Sequence, residues 1–101
     1  MGSRVDLSKV LHEVLGNDNV YFQPPPSLKM KYPCIVYERV RINTRFADNK
    51  PYKLTDSYQL TYIDNNPDSP MPKKLAELPM CIFERHYVSD NLYHDVFRIS
   101  N

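Results

Sequence analysis

Glycine is nearly missing from this chain, since only Gly2 and Gly16 occur in 101 residues. Loops that cradle phosphates need several glycines within one turn, so nucleotide binding of the P-loop or dinucleotide type is excluded. Tryptophan is absent, and cysteine is limited to Cys34 and Cys81, each flanked by aliphatic residues. Such thiols read as reduced core residues that behave as small hydrophobes, and they leave no disulfide framework to build on. No run approaches the roughly 20 apolar residues that cross a bilayer, and the first residues lack the charged-then-apolar layout of a secretory signal. Charge of one sign is lacking too. The 13 basic and 12 acidic residues are mixed along the chain for a formal net charge of +1, so no basic stripe is available for phosphate neutralisation and no specific nucleic-acid binding is expected.

What the chain does have is ordinary globular composition, 42% hydrophobic and 25% charged, in a length suited to one compact domain spanning residues 1–101. Leu7, Val10, Leu11, Val14 and Leu15 recur at helical spacing before Gly16, which predicts a helix over residues 4–15 with a left-handed cap. Pro24, Pro25 and Pro26 cannot donate backbone hydrogen bonds, so residues 20–33 are expected to form an extended, proline-rich arm. CIVYERVRI, residues 34–42, has strand composition, and the polar stretch after it predicts a long loop over residues 43–56. SYQLTYI, residues 57–63, alternates Tyr58, Leu60 and Tyr62 against Gln59 and Thr61, as a strand with one buried face does. Ser69 before Pro70, followed by the stripe Met71, Leu75 and Leu78, predicts a short second helix that ends at Pro79.

The remaining stretch, CIFERHYVSDNLYHDVFRIS, predicts a hairpin centred on Asp90. Symmetric pairing about Asp90 sets Tyr87 opposite Tyr93, Arg85 opposite Asp95 and Phe83 opposite Phe97. The predicted order αββαββ is an α+β fold, with a small, mostly antiparallel four-stranded sheet and two helices packed against it.

A search of these residues for chemistry finds little. No serine sits in a glycine-flanked elbow. Cys34 and Cys81 lack the neighbouring cation or histidine that would activate a thiol. The expected register sets His86 opposite His94, but two ligands do not make a zinc site, and Glu84 or His12 could only be guessed as further donors. No catalytic, cofactor or metal site is therefore expected, and a small metal-dependent enzyme using His86 and His94 is the minor alternative. Tyrosine is the more informative residue, with eight copies that combine an apolar body and a polar tip, as interface residues do. Tyr21, Phe22, Phe46 and Tyr52 fall in the arm and the long loop. Arg39, Arg41, Arg45, Lys50 and Lys53 gather around the first strand and its loop, while Asp64, Asp68, Asp90 and Asp95 lie in the second half. Complementary contacts between subunits would follow, and the expected interface residues are Tyr21, Phe22, Arg41, Arg45, Phe46, Lys50 and Tyr52.

The blocks QPPPSLKMKYPCIVYE, SYQLTYIDNNPDSP and RHYVSDNLYHDVFRI together resemble small tail-completion or tail-terminator proteins of long-tailed, siphovirus-like bacteriophages and prophages of Gram-positive bacteria. The resemblance spans nearly the whole chain and rests on block order and on the YP, tyrosine-strand and DNLYH details, with no catalytic signature. It implies a non-enzymatic virion protein made in the host bacterial cytoplasm. Such a protein forms a homo-oligomeric ring, commonly of six subunits, at the head-proximal end of the tail tube. The implied partners are other copies of the chain, the tail-tube protein, and a head-completion or connector protein, with no membrane involved. A head-closure or head-tail joining protein is the alternative of the same class.

Overall fold

The computed structural model describes the backbone of residues 4–47 and 50–100, and the side chains of residues 4–40 and 56–100. The chain is an α+β domain in the order α1 (Arg4–Leu15), β1 (Val20–Phe22), β2 (Cys34–Ala47), β3 (Lys50–Asp64), α2 (Met71–Ala76), β4 (Cys81–Ser89) and β5 (Leu92–Ser100). The five strands form one mixed sheet in the spatial order β1-β2-β3-β5-β4.

The sheet departs from the expected four antiparallel strands by β1, which pairs parallel to β2 from Val20 opposite Ile35 to Phe22 opposite Tyr37. A strand of three residues is too short to show a period of two, which is why β1 is silent in the sequence. The expected arm over residues 20–33 is corrected accordingly. After β1 the chain turns, with the Leu28 N–H donating to Pro25 O. It then folds back, with the Lys31 N–H donating to Tyr21 Oη (3.2 Å) and Asn19 Nδ2 to Pro33 O (3.2 Å). An extended proline arm cannot make the crossover that a parallel neighbour requires.

The expected loop over residues 43–56 is corrected as well. Residues 43–47 and 50–56 continue β2 and β3, which pair antiparallel from Cys34 opposite Ile63 to Ala47 opposite Lys50. Strand β5 meets β3 only from Ser57 to Asp64, so the outer part of this pair runs on as a two-stranded ribbon. At about 3.3 Å per residue, a strand the length of β3 covers about 50 Å, which accounts for the longest molecular dimension of 51 Å against 28 and 24 Å for the others. A ribbon with no further strand beside it among the described residues need not alternate as a half-buried strand does, so its sequence resembles a loop.

Both helices lie on one face of the sheet. Leu7 and Leu11 of α1 and Met71 and Leu75 of α2 pack with Ile35, Tyr37, Tyr58, Leu60, Tyr62, Phe97 and Ile99 in a single core. Gly16 at φ +82° ends α1, and its N–H donates to His12 O (2.9 Å). Helix α2 opens one residue later than expected, with Pro70 in the capping position and the Met71 N–H donating to Ser69 Oγ (3.2 Å). Ser69 Oγ also meets Tyr62 Oη at 3.0 Å, and Tyr62 Oη donates to Asp64 Oδ2 (2.5 Å), so the corner from β3 to α2 is held by a buried polar chain. Burial is the first cause that pushes the Tyr62 phenol well above its ordinary range, and its bond to Asp64 is the second.

Candidate interaction surface

Strand β4 closes one side of the sheet. Among the described residues no strand pairs with its outer side, although the strand is nine residues long and rich in apolar groups. Met80, Ile82 and Val88 are 71%, 68% and 57% exposed, and Phe83 and Tyr87 are also exposed. An uncovered strand with free outer N–H and C=O groups and large apolar side chains is a template for pairing with another chain.

The geometry of this edge is set by the turn that precedes β5. Asp90 and Asn91 both have positive φ, 53° and 63°, and Ser89 pairs with Leu92, so the connection is a two-residue turn of type I′. The expected centre at Asp90 is therefore off by half a residue near the turn. Val88 pairs with Tyr93, Tyr87 with His94, His86 with Asp95 and Arg85 with Val96, replacing the expected Tyr87–Tyr93 and Arg85–Asp95 pairs. A bulge between Phe83 and Arg85 then absorbs one residue, Glu84, and restores the expected pairing of Phe83 with Phe97. Those two rings meet edge-on at 5.5 Å.

The bulge also decides which side chains share a face. Cys81 and Phe83 point to the helix side before it, and His86 and Val88 do so after it, because their partners Ile99, Phe97, Asp95 and Tyr93 alternate without interruption. Ile82, Arg85 and Tyr87 point to the other side. Glu84 joins them there, since its carboxylate meets Arg98 Nε at 3.3 Å and Arg98 pairs with Ile82.

This arrangement separates the histidines that the expected register placed opposite each other. His86 lies on the helix side with its Nδ1 2.9 Å from Asp95 Oδ1, whereas His94 lies on the opposite side, stacked on Tyr87 at 4.5 Å. His12 Nδ1 sits 2.7 Å from Ser8 O in its own helix. The candidate donors thus do not converge, and among the described residues no group of three His, Cys, Asp or Glu could hold a metal ion. The thiols are equally unsuited to nucleophilic work. Burial, with Asp64 as a second cause, pushes Cys34 up to about 12, and burial pushes Cys81 up to about 11, so little thiolate exists near neutral pH.

Of the expected interface residues, Tyr21 accepts from the Lys31 backbone, and Phe22 packs on Tyr37 at 5.0 Å beneath the Arg4 guanidinium, 4.8 Å from the ring centroid. Both are half-buried within their own subunit. The side chains of Arg41, Arg45, Phe46, Lys50 and Tyr52 lie outside the described residues, while their backbones belong to β2 and β3. Arg39 is engaged internally, 3.6 Å from Asp56 and over the Tyr58 ring.

The residues that the sequence reading missed are Met80, Ile82, Phe83, Tyr87 and Val88. Their signal is the adjacency of apolar residues, Ile82 with Phe83 and Tyr87 with Val88, which puts apolar groups on both faces of a strand whose sheet has helices on only one. Comparison with known proteins adds no identification: no protein-family description matches the chain, and no curated protein matches it.

Proposed function

We propose that this chain is a non-enzymatic structural subunit that joins protein chains through the outer edge of β4. One observation supports this above all others, namely that the nine-residue edge strand from Cys81 to Ser89 exposes large apolar side chains on both of its faces. Burying each such side chain fully is favourable by about 1.5–3 kcal/mol, and backbone pairing along the edge gives the contact direction.

The resemblance noted above gives this reading its concrete form. The subunit belongs to a ring at the head-proximal end of a phage tail tube, where it ends tail growth and joins tail to head, with the tail-tube protein on one side and a head-completion or connector protein on the other. A ring with different partners above and below must be polar, so each subunit meets the next through two unlike patches. The β4 edge is one of them.

The test is the molar mass by light scattering, with and without tail-tube protein, for the wild type and for an Ile82→Asp/Val88→Asp variant. The expected result is a ring–tube complex for the wild type when tube protein is present, and its loss in a variant that keeps the wild-type circular dichroism. A wild-type chain that ignores the tube protein, or a variant that assembles normally, overturns the proposal.

A further inference from the structure

The β4 edge carries its own selectivity. Near its middle, Glu84 and Arg85 interrupt the apolar residues, and charges on an edge normally deter pairing because an incoming strand takes them out of water. The same two residues become complementary against one particular strand, which is β4 itself.

Consider two copies of β4 lying antiparallel, related by a twofold axis perpendicular to the sheet. Such an axis keeps the helix side of one copy on the same side as that of the other, so paired residues must point to the same face. The bulge makes this condition restrictive. If Glu84 of one copy stands opposite Arg85 of the other, Phe83 faces His86, Ile82 faces Tyr87 and Cys81 faces Val88, and each pair is matched in face and occurs twice by symmetry. A slip of one residue either way mismatches the flanking pairs, setting Phe83 of the helix side against either Tyr87 or Arg85 of the other side. A slip of two residues mismatches the centre, setting either Phe83 against Glu84 or Arg85 against His86. Among these registers, only the first matches every pair in face, and it also places a carboxylate opposite a guanidinium at both central positions.

We infer that in the free protein the β4 edge is occupied by β4 of a second copy, in the register that sets Glu84 opposite Arg85. The inference rests on the reading of β4 as an assembly edge and names what covers it before the tail partners are met. A pair of this kind is isologous and self-limiting. It uses the edge by which one ring subunit meets the next, so assembly of the ring on tube protein has to displace it.

A single introduced cysteine tests the register. Residues opposite each other in an antiparallel pair have Cα atoms about 4.5–5.5 Å apart, within disulfide range, whereas Cys81 and position 88 of one chain are separated by about 23 Å along the strand. Val88→Cys is on the surface and places a thiol opposite Cys81 of the second copy. Full-length Val88→Cys treated with diamide is expected to give a covalent dimer whose peptides are joined between Cys81 of one copy and the introduced thiol of the other, while wild type treated alike stays uncrosslinked. Light scattering of the untreated wild type is expected to show a monomer–dimer equilibrium. Arg85→Glu, which sets like charges opposite each other twice, is expected to raise its midpoint concentration about tenfold. A wild type that remains monomeric at every concentration, a Val88→Cys chain that does not crosslink, or a crosslink that joins the two introduced thiols to each other overturns the inference. A monomeric wild type that still captures tube protein through β4 overturns self-pairing and keeps the assembly reading. A crosslinked dimer that never yields to tube protein leaves self-pairing in place and removes the assembly reading.

Discussion

Strands β4 and β5 are the two halves of one hairpin, similar in length and in apolar content, yet they have opposite fates. Val96, Phe97 and Ile99 of β5 are buried, whereas Ile82, Phe83, Tyr87 and Val88 of β4 are exposed. Hydropathy does not separate them, since CIFERHYVS and LYHDVFRIS are near equals. Position does: among the described residues β5 is flanked by β3 and β4, and β4 by β5 alone. A side chain in a sheet is covered mainly by its neighbours on adjacent strands and by the layer above. The same residue is therefore core in one strand and contact surface in the next.

The contrast breaks most sharply under truncation. Phe97→Ala is expected to cost about 3–5 kcal/mol in urea unfolding, as removal of a fully buried aromatic ring does, whereas Ile82→Ser on the edge is expected to stay within about 0.5 kcal/mol. Comparable losses for the two would mean that β4 is covered even in the monomer. Next in size is Tyr62→Phe, which takes the hydroxyl from the buried chain through Asp64 and Ser69 and is expected to cost about 1–3 kcal/mol. An unchanged denaturation midpoint would show that this corner does not hold β3 to α2. The smallest effect sharpens the comparison at the point where the two strands meet. Asn91→Val, forced to adopt positive φ, is expected to lose about 1–2 kcal/mol, while Asn91→Gly is expected to match or exceed the wild type in thermal midpoint.

Much of the buried half was legible in the sequence. Leu7, Leu11, Tyr58, Leu60 and Tyr62 announce their faces by periodicity, because a packed face imposes its repeat on the residues that form it. Gly16 marks the end of α1 for an equally local reason, whereas the expected Phe83–Phe97 pair is met only because the bulge at Glu84 offsets the shifted turn. The edge was not legible, for a physical reason. Whether β4 has one neighbour or two depends on strand order, and order is settled by packing between segments distant in sequence. Asp90 and Asn91 signalled a turn, but the choice of a two-residue loop and the compensating bulge at Glu84 differ from a symmetric hairpin by a single residue. That residue moved His86 and His94 to opposite faces. Strand β1 was missed because three residues are too few to show a period, and the outer β2–β3 ribbon because no third described strand lies beside it there.

The place of β5 in the sheet has a further consequence, for the order of events during synthesis. Strand β5 is made after both of the strands it lies between, pairing Ser57 with Ser100 and Asp64 with Tyr93. A nascent chain that has completed β4 but not β5 holds Tyr58, Leu60 and Tyr62 on a strand with one side unpaired, and β4 has no sheet to join. Long-range pairing of this kind is slow to form, and an unfilled gap between strands is open to the wrong chain. The chain is therefore expected to be most open to misassembly in the interval when β4 has been made and β5 has not yet filled the gap beside β3.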